Sequence, residues 1–239
     1  MKKIFYIGLM FCAWGCTPND ITVYHEDRNS IQFDYKSEKM VLDYDFAFQF
    51  KELNQWDRYF YGDSVRTDTL RLAVTLLGFK QDQPRTFRLK AVPVKGQDST
   101  RLAEVEFEPS YTFRKNSLRD TVQFVLHRPK KRGHYTIGVT FEVDDTTWFA
   151  LGVEESNTYR INLSDVYPRP DGWEVCEPWL GEYTEEKYAF YVTVLNRVYD
   201  PYYWLYSGDS YGFAPKIKKA LKDYNAAYPD APKDFSFPE

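Results

Sequence analysis

Histidine and cysteine are both scarce in this chain, with three of each among 239 residues. The histidines are His25, His127 and His134, and none stands in a His-Glu-x-x-His arrangement, so a zincin-type metal site is excluded. Neither a phosphate-cradling glycine loop nor a dinucleotide fingerprint is present, and no hydrolase nucleophile elbow is identified. No catalytic residue, metal ligand or cofactor site is therefore assigned. Long apolar runs are also missing. The longest, Ile4 to Ala13, is too short for a membrane-spanning helix, which needs roughly 20 apolar residues.

That short run is informative. It follows the basic start Met1-Lys2-Lys3 and ends in Ala13-Trp14-Gly15-Cys16, which is the layout of a secretory signal peptide. Small residues before a cysteine resemble the bacterial lipobox, in which the thiol is acylated and becomes the new N-terminus. Cys16 is the expected lipidation site. Phe11 makes Cys12 the poorer candidate, and Trp14 is bulkier than the Ala or Ser usual in the box. An ordinary signal peptide with an incidental cysteine is the alternative. Processing after residue 15 removes Lys2 and Lys3, taking 31 basic residues to 29 against 35 acidic ones, a net charge of −6. An acidic chain of mixed charge argues against a nucleic-acid partner, which needs a concentrated basic surface. Cys176 is then the last thiol. It lies between Glu174 and Glu177, without the electropositive surroundings of a reactive cysteine, and reads as quiet and partly buried.

Alternation of period two dominates the middle of the chain and predicts half-buried strands. It runs through Leu42, Tyr44, Phe46, Phe48 and Phe50, then Leu70 to Leu76, Phe87 to Ala91, Val105 and Phe107, Val122 to Leu126, Tyr135 to Val143, and Tyr159 to Leu163. Turn signals such as Asp82-Gln83-Pro84 and Lys131-Arg132-Gly133 separate the runs. Seven or more such strands predict an immunoglobulin-like antiparallel β-sandwich over 31–166, preceded by a signal peptide (1–15) and a leader (16–30). Pro168, Pro170 and Gly172 mark a boundary, and 167–239 reads as a smaller helical, aromatic-rich region. There Thr184 and the acids after it are placed to cap a helix that Pro201 ends. Pro215 is expected at the first position of a second helix.

From Asp68 to Phe190 the chain resembles a Bacteroidota lipoprotein family of unknown function, of the DUF4843 type. The resemblance is carried by Asp68 through Gly78, Ala103 through Tyr111, Asp120 through Arg128, Phe149-Ala150-Leu151-Gly152 and Pro170-Asp171-Gly172-Trp173. Its most specific part is Trp173 followed by Gly181, Tyr183, Thr184 and Lys187. The resemblance implies an accessory lipoprotein of SusC/SusD-type outer-membrane importers, a surface location, and capture of peptide or glycan nutrients. It brings no catalytic residues. The leader after Cys16 carries only Asn19-Asp20 and Glu26-Asp27, so the acidic stretch of a surface-export signal is thin.

Carboxylates leave one enzymatic alternative open, a surface glycan hydrolase with an unrecognised acid pair about 5–10 Å apart. Asp144-Asp145 before Thr146-Thr147 reads as a turn between strands rather than a calcium loop. His127, beside Arg128, reads as a solvated strand-edge residue, and His134 as part of a solvated hairpin tip. The best binding candidates are aromatic. Tyr202, Tyr203, Trp204, Tyr206 and Tyr211 are expected in a loop between the tail helices, where flat faces with polar tips suit sugar rings, peptide side chains or a protein partner. The competing expectation is that they pack the tail against the sandwich. A purely structural envelope protein is the third possibility.

Overall fold

The structure, a computed structural model, describes residues 28–34, 40–55, 57–96, 102–144, 147–206 and 209–238. The signal peptide, Cys16, the leader as far as residue 27, and Asp145-Thr146 lie outside the described residues.

Among the described residues twelve strands are defined. They are β1 (Asn29–Phe33), β2 (Val41–Asp45), β3 (Phe50–Glu52), β4 (Arg58–Phe60), β5 (Thr67–Leu77), β6 (Arg85–Val92), β7 (Val105–Glu106), β8 (Tyr111–Phe113), β9 (Arg119–His127), β10 (Gly133–Glu142), β11 (Phe149–Leu151) and β12 (Thr158–Asp165). Two five-stranded sheets form, ordered β11-β1-β5-β9-β7 and β2-β12-β10-β6-β8, with β3 and β4 as a separate hairpin. The fold is mainly β and of the expected sandwich class. Alternation supplies the core: Ile31, Phe33, Val74, Leu76, Phe124 and Leu126 from one sheet meet Leu89, Phe113, Ile137, Val139, Phe141 and Ile161 from the other, all buried. Two edge pairings, β1 with β11 and β12 with β2, are parallel.

One expected strand is broken. The alternation from Leu42 to Phe50 is not a single strand, because β2 stops at Asp45 and the chain turns before β3. The Asp45 carboxylate accepts the Ala47 N–H at 2.8 Å, an Asx turn that redirects the backbone. Phe46 and Ala47, adjacent in sequence, both bury completely, which marks the break that the alternating residue types conceal.

The sandwich has two unlike ends. β5, eleven residues long, spans roughly 33 Å between them. At one end Ser30 pairs with Leu77 and Asn29 with Phe149, and the chain begins its described course at Arg28. At the other, Thr67 pairs with His127 and Gly133 with Asp165, and the helical region follows. Its helices are α1 (Glu177–Leu180), α2 (Glu185–Leu195), α3 (Pro201–Tyr206) and α4 (Asp209–Ala227).

An ion cluster joins the two parts at that far end. The Arg128 guanidinium donates to both carboxylate oxygens of Asp165, at 3.0 and 2.7 Å, to Asp63 Oδ1 at 2.8 Å and to the Gly62 carbonyl at 2.8 Å. Arg132 donates to Asp63 at 2.7 Å and lies over the Tyr167 ring, 4.7 Å from its centroid. Gly62 sits with φ +57 directly on α2: a Cβ there would meet Thr193 Cα at 2.7 Å and its N at 2.9 Å. Close approach of the 62–64 turn to α2 therefore requires glycine.

Candidate functional site

The most specific residues of the family resemblance come together, and they build the helical region rather than a cavity. Trp173 is fully buried, with Tyr183, Tyr188, Tyr191 and Tyr199 set edgewise or tilted around it at 5.4–6.4 Å. Its indole N–H donates to the Gly181 carbonyl at 3.2 Å. Gly181 has φ +74 and Gly172 φ +72, and a Cβ on Gly172 would press to 2.9 Å from the Pro201 ring. Tyr183 Oη donates to the Tyr167 carbonyl. Thr184 caps α2, its hydroxyl accepting the Lys187 N–H at 3.2 Å, and Lys187 Nζ reaches the Glu182 carbonyl at 3.2 Å. Trp173, Gly181, Tyr183, Thr184 and Lys187 thus fix where α2 starts and how it lies on the sandwich. Cys176, buried beside them, has its thiol pushed up to about 12 by burial, as a quiet thiol would.

The aromatic segment beyond α2 is helical, which corrects the expected loop. α2 ends at Leu195, six residues before Pro201, because Asn196 takes the left-handed conformation (φ 55) and its Nδ2 donates to the Phe60 carbonyl at 3.0 Å. Pro201 opens α3 instead of stopping a helix, and the Asp200 carboxylate caps it by accepting the Tyr202 N–H at 2.8 Å. Pro215 lies inside α4, which begins at Asp209. At that interior position proline gives up the i→i−4 hydrogen bond and sets its ring against the Tyr211 carbonyl, a local cost to the helix.

Helix formation divides the five candidate aromatics. Trp204 turns inward and is 1 % exposed, packed 6.1–6.2 Å from the rings of Trp179, Tyr191, Tyr199 and Phe213. Its indole N–H is buried without an acceptor among the described residues. Tyr202, Tyr206 and Tyr211 turn outward at 72, 73 and 82 % exposure. Tyr202 and Tyr206, one helical turn apart, lie with ring centroids 4.6 Å apart. Leu205 adds exposed apolar surface beside them. Tyr203 is partly exposed, with the Arg197 guanidinium 4.1 Å above its ring and Phe213 stacked at 6.5 Å.

Tyr203 and Arg197 also form one wall of an open groove of about 400 Å³, whose other wall is the β3–β4 hairpin with Gln55, Asp57, Arg58 and Phe60. Asp200 and Val198 complete it. Sequence spacing gives no sign of this groove, because its walls are about 140 residues apart. The closest local signal is the aromatic density of 199–213. Two arginines, two aspartates, an amide and flat rings offer hydrogen bonds in both directions plus stacking surface, a chemistry suited to holding a polar ligand.

The buried carboxylates belong elsewhere. Asp63 and Asp165 approach one another only through Arg128 and Arg132, which satisfy both. Among the described residues no group of three or more His, Cys, Asp or Glu is placed to hold a metal ion. His127 contacts Glu106 at 3.1 Å on the edge formed with β7, and His134 is exposed. One motif escaped the sequence reading: Gly208-Asp209-Ser210-Tyr211-Gly212 has Gly-x-Ser-x-Gly spacing. A nucleophile elbow requires a strand feeding a helix, whereas Asp209 to Gly212 are the opening residues of α4.

Among curated proteins none matches the chain. Of solved structures, a two-domain protein of unknown function from Bacteroides fragilis NCTC 9343 is similar at 12 % identity and a TM-score of 0.38, over 58 % of this chain and 46 % of its own. The match thus spans less than half of that protein. A Bacteroides ovatus GH5 xyloglucanase in complex with a XXXG heptasaccharide is similar at 11 % identity and a TM-score of 0.28, over 59 % of this chain and 20 % of its own. A CARDB domain from Pyrococcus furiosus is similar at 12 % identity and a TM-score of 0.26, over 57 % of this chain and 90 % of its own. Residues 35–205, which include the Trp173 cluster, the groove walls and most of α3, match the family described as Domain of unknown function (DUF4843), and the chain belongs to that family.

Proposed function

We propose that this chain is a non-catalytic lipoprotein of the outer membrane, anchored through Cys16 and facing the cell exterior, that serves as an accessory or ligand-binding component of a SusC/SusD-type importer. Its cargo is a peptide or an oligosaccharide, and its binding face is the outward side of α3 with the adjoining groove. The observation that carries this reading is the placement of Tyr202, Tyr203 and Tyr206. They stand exposed on a short helix whose inward Trp204 is locked in the core, so the rings are held by a rigid base. Aromatic faces held in this way lose little side-chain entropy on binding.

Geometry supports the orientation. The helical region lies at the end of the sandwich opposite Arg28, an arrangement that suits a tyrosine face held away from an anchor at Cys16. Mild detergent extraction of native outer membranes, affinity capture of this protein and identification of its companions test the role. A SusC/SusD-type pair recovered in constant proportion fits it. Efficient recovery of the protein alone contradicts it and turns attention to a free-standing binder or a hydrolase.

A further inference from the structure

The end of the sandwich nearest the leader carries its own exposed apolar residues. Phe79 is 69 % exposed, Trp148 56 % and Leu118 38 %. Three separate loops bring them together. The Asn29 side chain ties the Phe79 backbone to the start of β1, donating to the Phe79 carbonyl at 2.5 Å and accepting the Phe79 N–H at 3.1 Å. Asn29 pairs in register with Phe149, the neighbour of Trp148. The Asn116 N–H donates to the Gln81 carbonyl at 2.7 Å and holds the Leu118 loop against the Phe79 turn.

Arg28 is fastened to the same place, its guanidinium donating to the carbonyls of Asp144, Thr147 and Phe149 at 2.5–3.2 Å. The first described residue is therefore fixed beside Trp148. The Arg85 guanidinium lies over the Trp148 indole at 3.7 Å. Lys80 and Lys115 are exposed on the two loops; the acids at this end are Asp82 on the first loop, Glu142 and Asp144 beside Trp148, and Asp34 and Asp120, which pair with Arg119 and Arg114. Aromatic rings interleaved with basic heads at one end of a molecule match the headgroup layer of a bilayer, where tryptophan partitions and lysine and arginine reach phosphate.

We propose that this end of the sandwich rests on the membrane surface, with Trp148, Phe79 and Leu118 seated among the lipid headgroups and Lys80, Lys115 and Arg85 facing the phosphates. The proposal rests on the lipid anchor at Cys16. The twelve residues from Cys16 to Arg28 reach at most about 43 Å when extended, which keeps this end within range of the bilayer. Seating it there holds the β5 axis away from the membrane and sets the tyrosine face roughly 33 Å or more above the lipid.

The test uses the lipidated protein reconstituted into phosphatidylcholine–phosphatidylglycerol vesicles, with and without acyl chains brominated near the headgroup. In a Trp56→Phe background the expected result is a loss of tryptophan emission in brominated vesicles that disappears in Trp148→Phe, since Trp173 and Trp204 are buried and Trp179 is partly buried in α1 at the far end. Phe79→Ser, an exposed substitution, should reduce the same quenching. Protein that floats with the vesicles but shows no quenching, or quenching unchanged in Trp148→Phe, overturns the membrane seat while leaving the anchor in place. Protein that does not float overturns both the anchor and the seat.

Discussion

Replacing Arg128 with Met should be among the most damaging single changes in the molecule. The Arg128 side chain is 2 % exposed and that of Asp165 is 3 %. Removing the guanidinium deletes both of its bonds to Asp165, its bond to Asp63 and its bonds to the carbonyls of Gly62 and Val65. Asp165 would keep only Arg132, at 3.3 Å. A buried charge stripped of its main partner costs about 3–5 kcal/mol. For a chain of this size that lowers the melting temperature by roughly 6–20 °C. Urea unfolding of wild type, Arg128→Met, Asp165→Leu and the double variant measures it directly. The double variant should recover at least half of the loss, because the cost lies in the orphaned carboxylate and not in the missing attraction. If Arg128→Met costs less than about 1 kcal/mol, or if the double variant is as unstable as the sum of the singles, the cluster is not the rivet between sandwich and helices that the geometry describes.

Three further outcomes follow from packing and titration. Trp204→Ala should cost about 3–5 kcal/mol in chemical denaturation, whereas Tyr202→Ala and Tyr206→Ala should each stay within about 1 kcal/mol, because Trp204 alone of these three is in the core. Gly62→Ala should cost about 2–5 kcal/mol, from left-handed backbone strain added to a collision with the α2 backbone, as read from melting curves. Burial pushes Tyr167, Tyr188 and Cys176 each up to about 12, and a group with a raised folded pKa loses its contribution as pH rises through the gap between the unfolded and folded values. Stability should therefore be flat near neutrality and fall between about pH 9 and pH 12, and Cys176 should resist alkylation at pH 8 until the protein is unfolded.

The sandwich was legible because its strands bury one face each, so alternation in β5, β9, β10 and β12 points directly to the core. The strand β1 was not, since Asn29–Phe33 is short, lies between β11 and β5 and is buried on nearly every residue, which leaves no alternation to see. The Asp45 turn was invisible for the opposite reason, as alternation continues through it. In the tail, composition located the aromatic cluster, but side-chain direction depends on whether the segment is helical. Asp200 as a cap for α3 and Asn196 as a left-handed stop for α2 decide that, and neither stands out without the fold. His127 drew attention in the sequence while its neighbour Arg128, the residue that joins the two parts, did not. A buried arginine is recognised by its partners, and Asp63 and Asp165 lie 65 and 37 residues away.

The measurement that bears most directly on the binding face compares the wild type with a Tyr202→Ser/Tyr206→Ser variant in capture of companions and of peptide and glycan ligands, with circular dichroism and melting recorded alongside. The account predicts a variant that folds and melts like the wild type yet loses at least tenfold in binding. A variant that folds normally and binds undiminished would contradict it, and would leave the exposed tyrosines of α3 without a role in recognition.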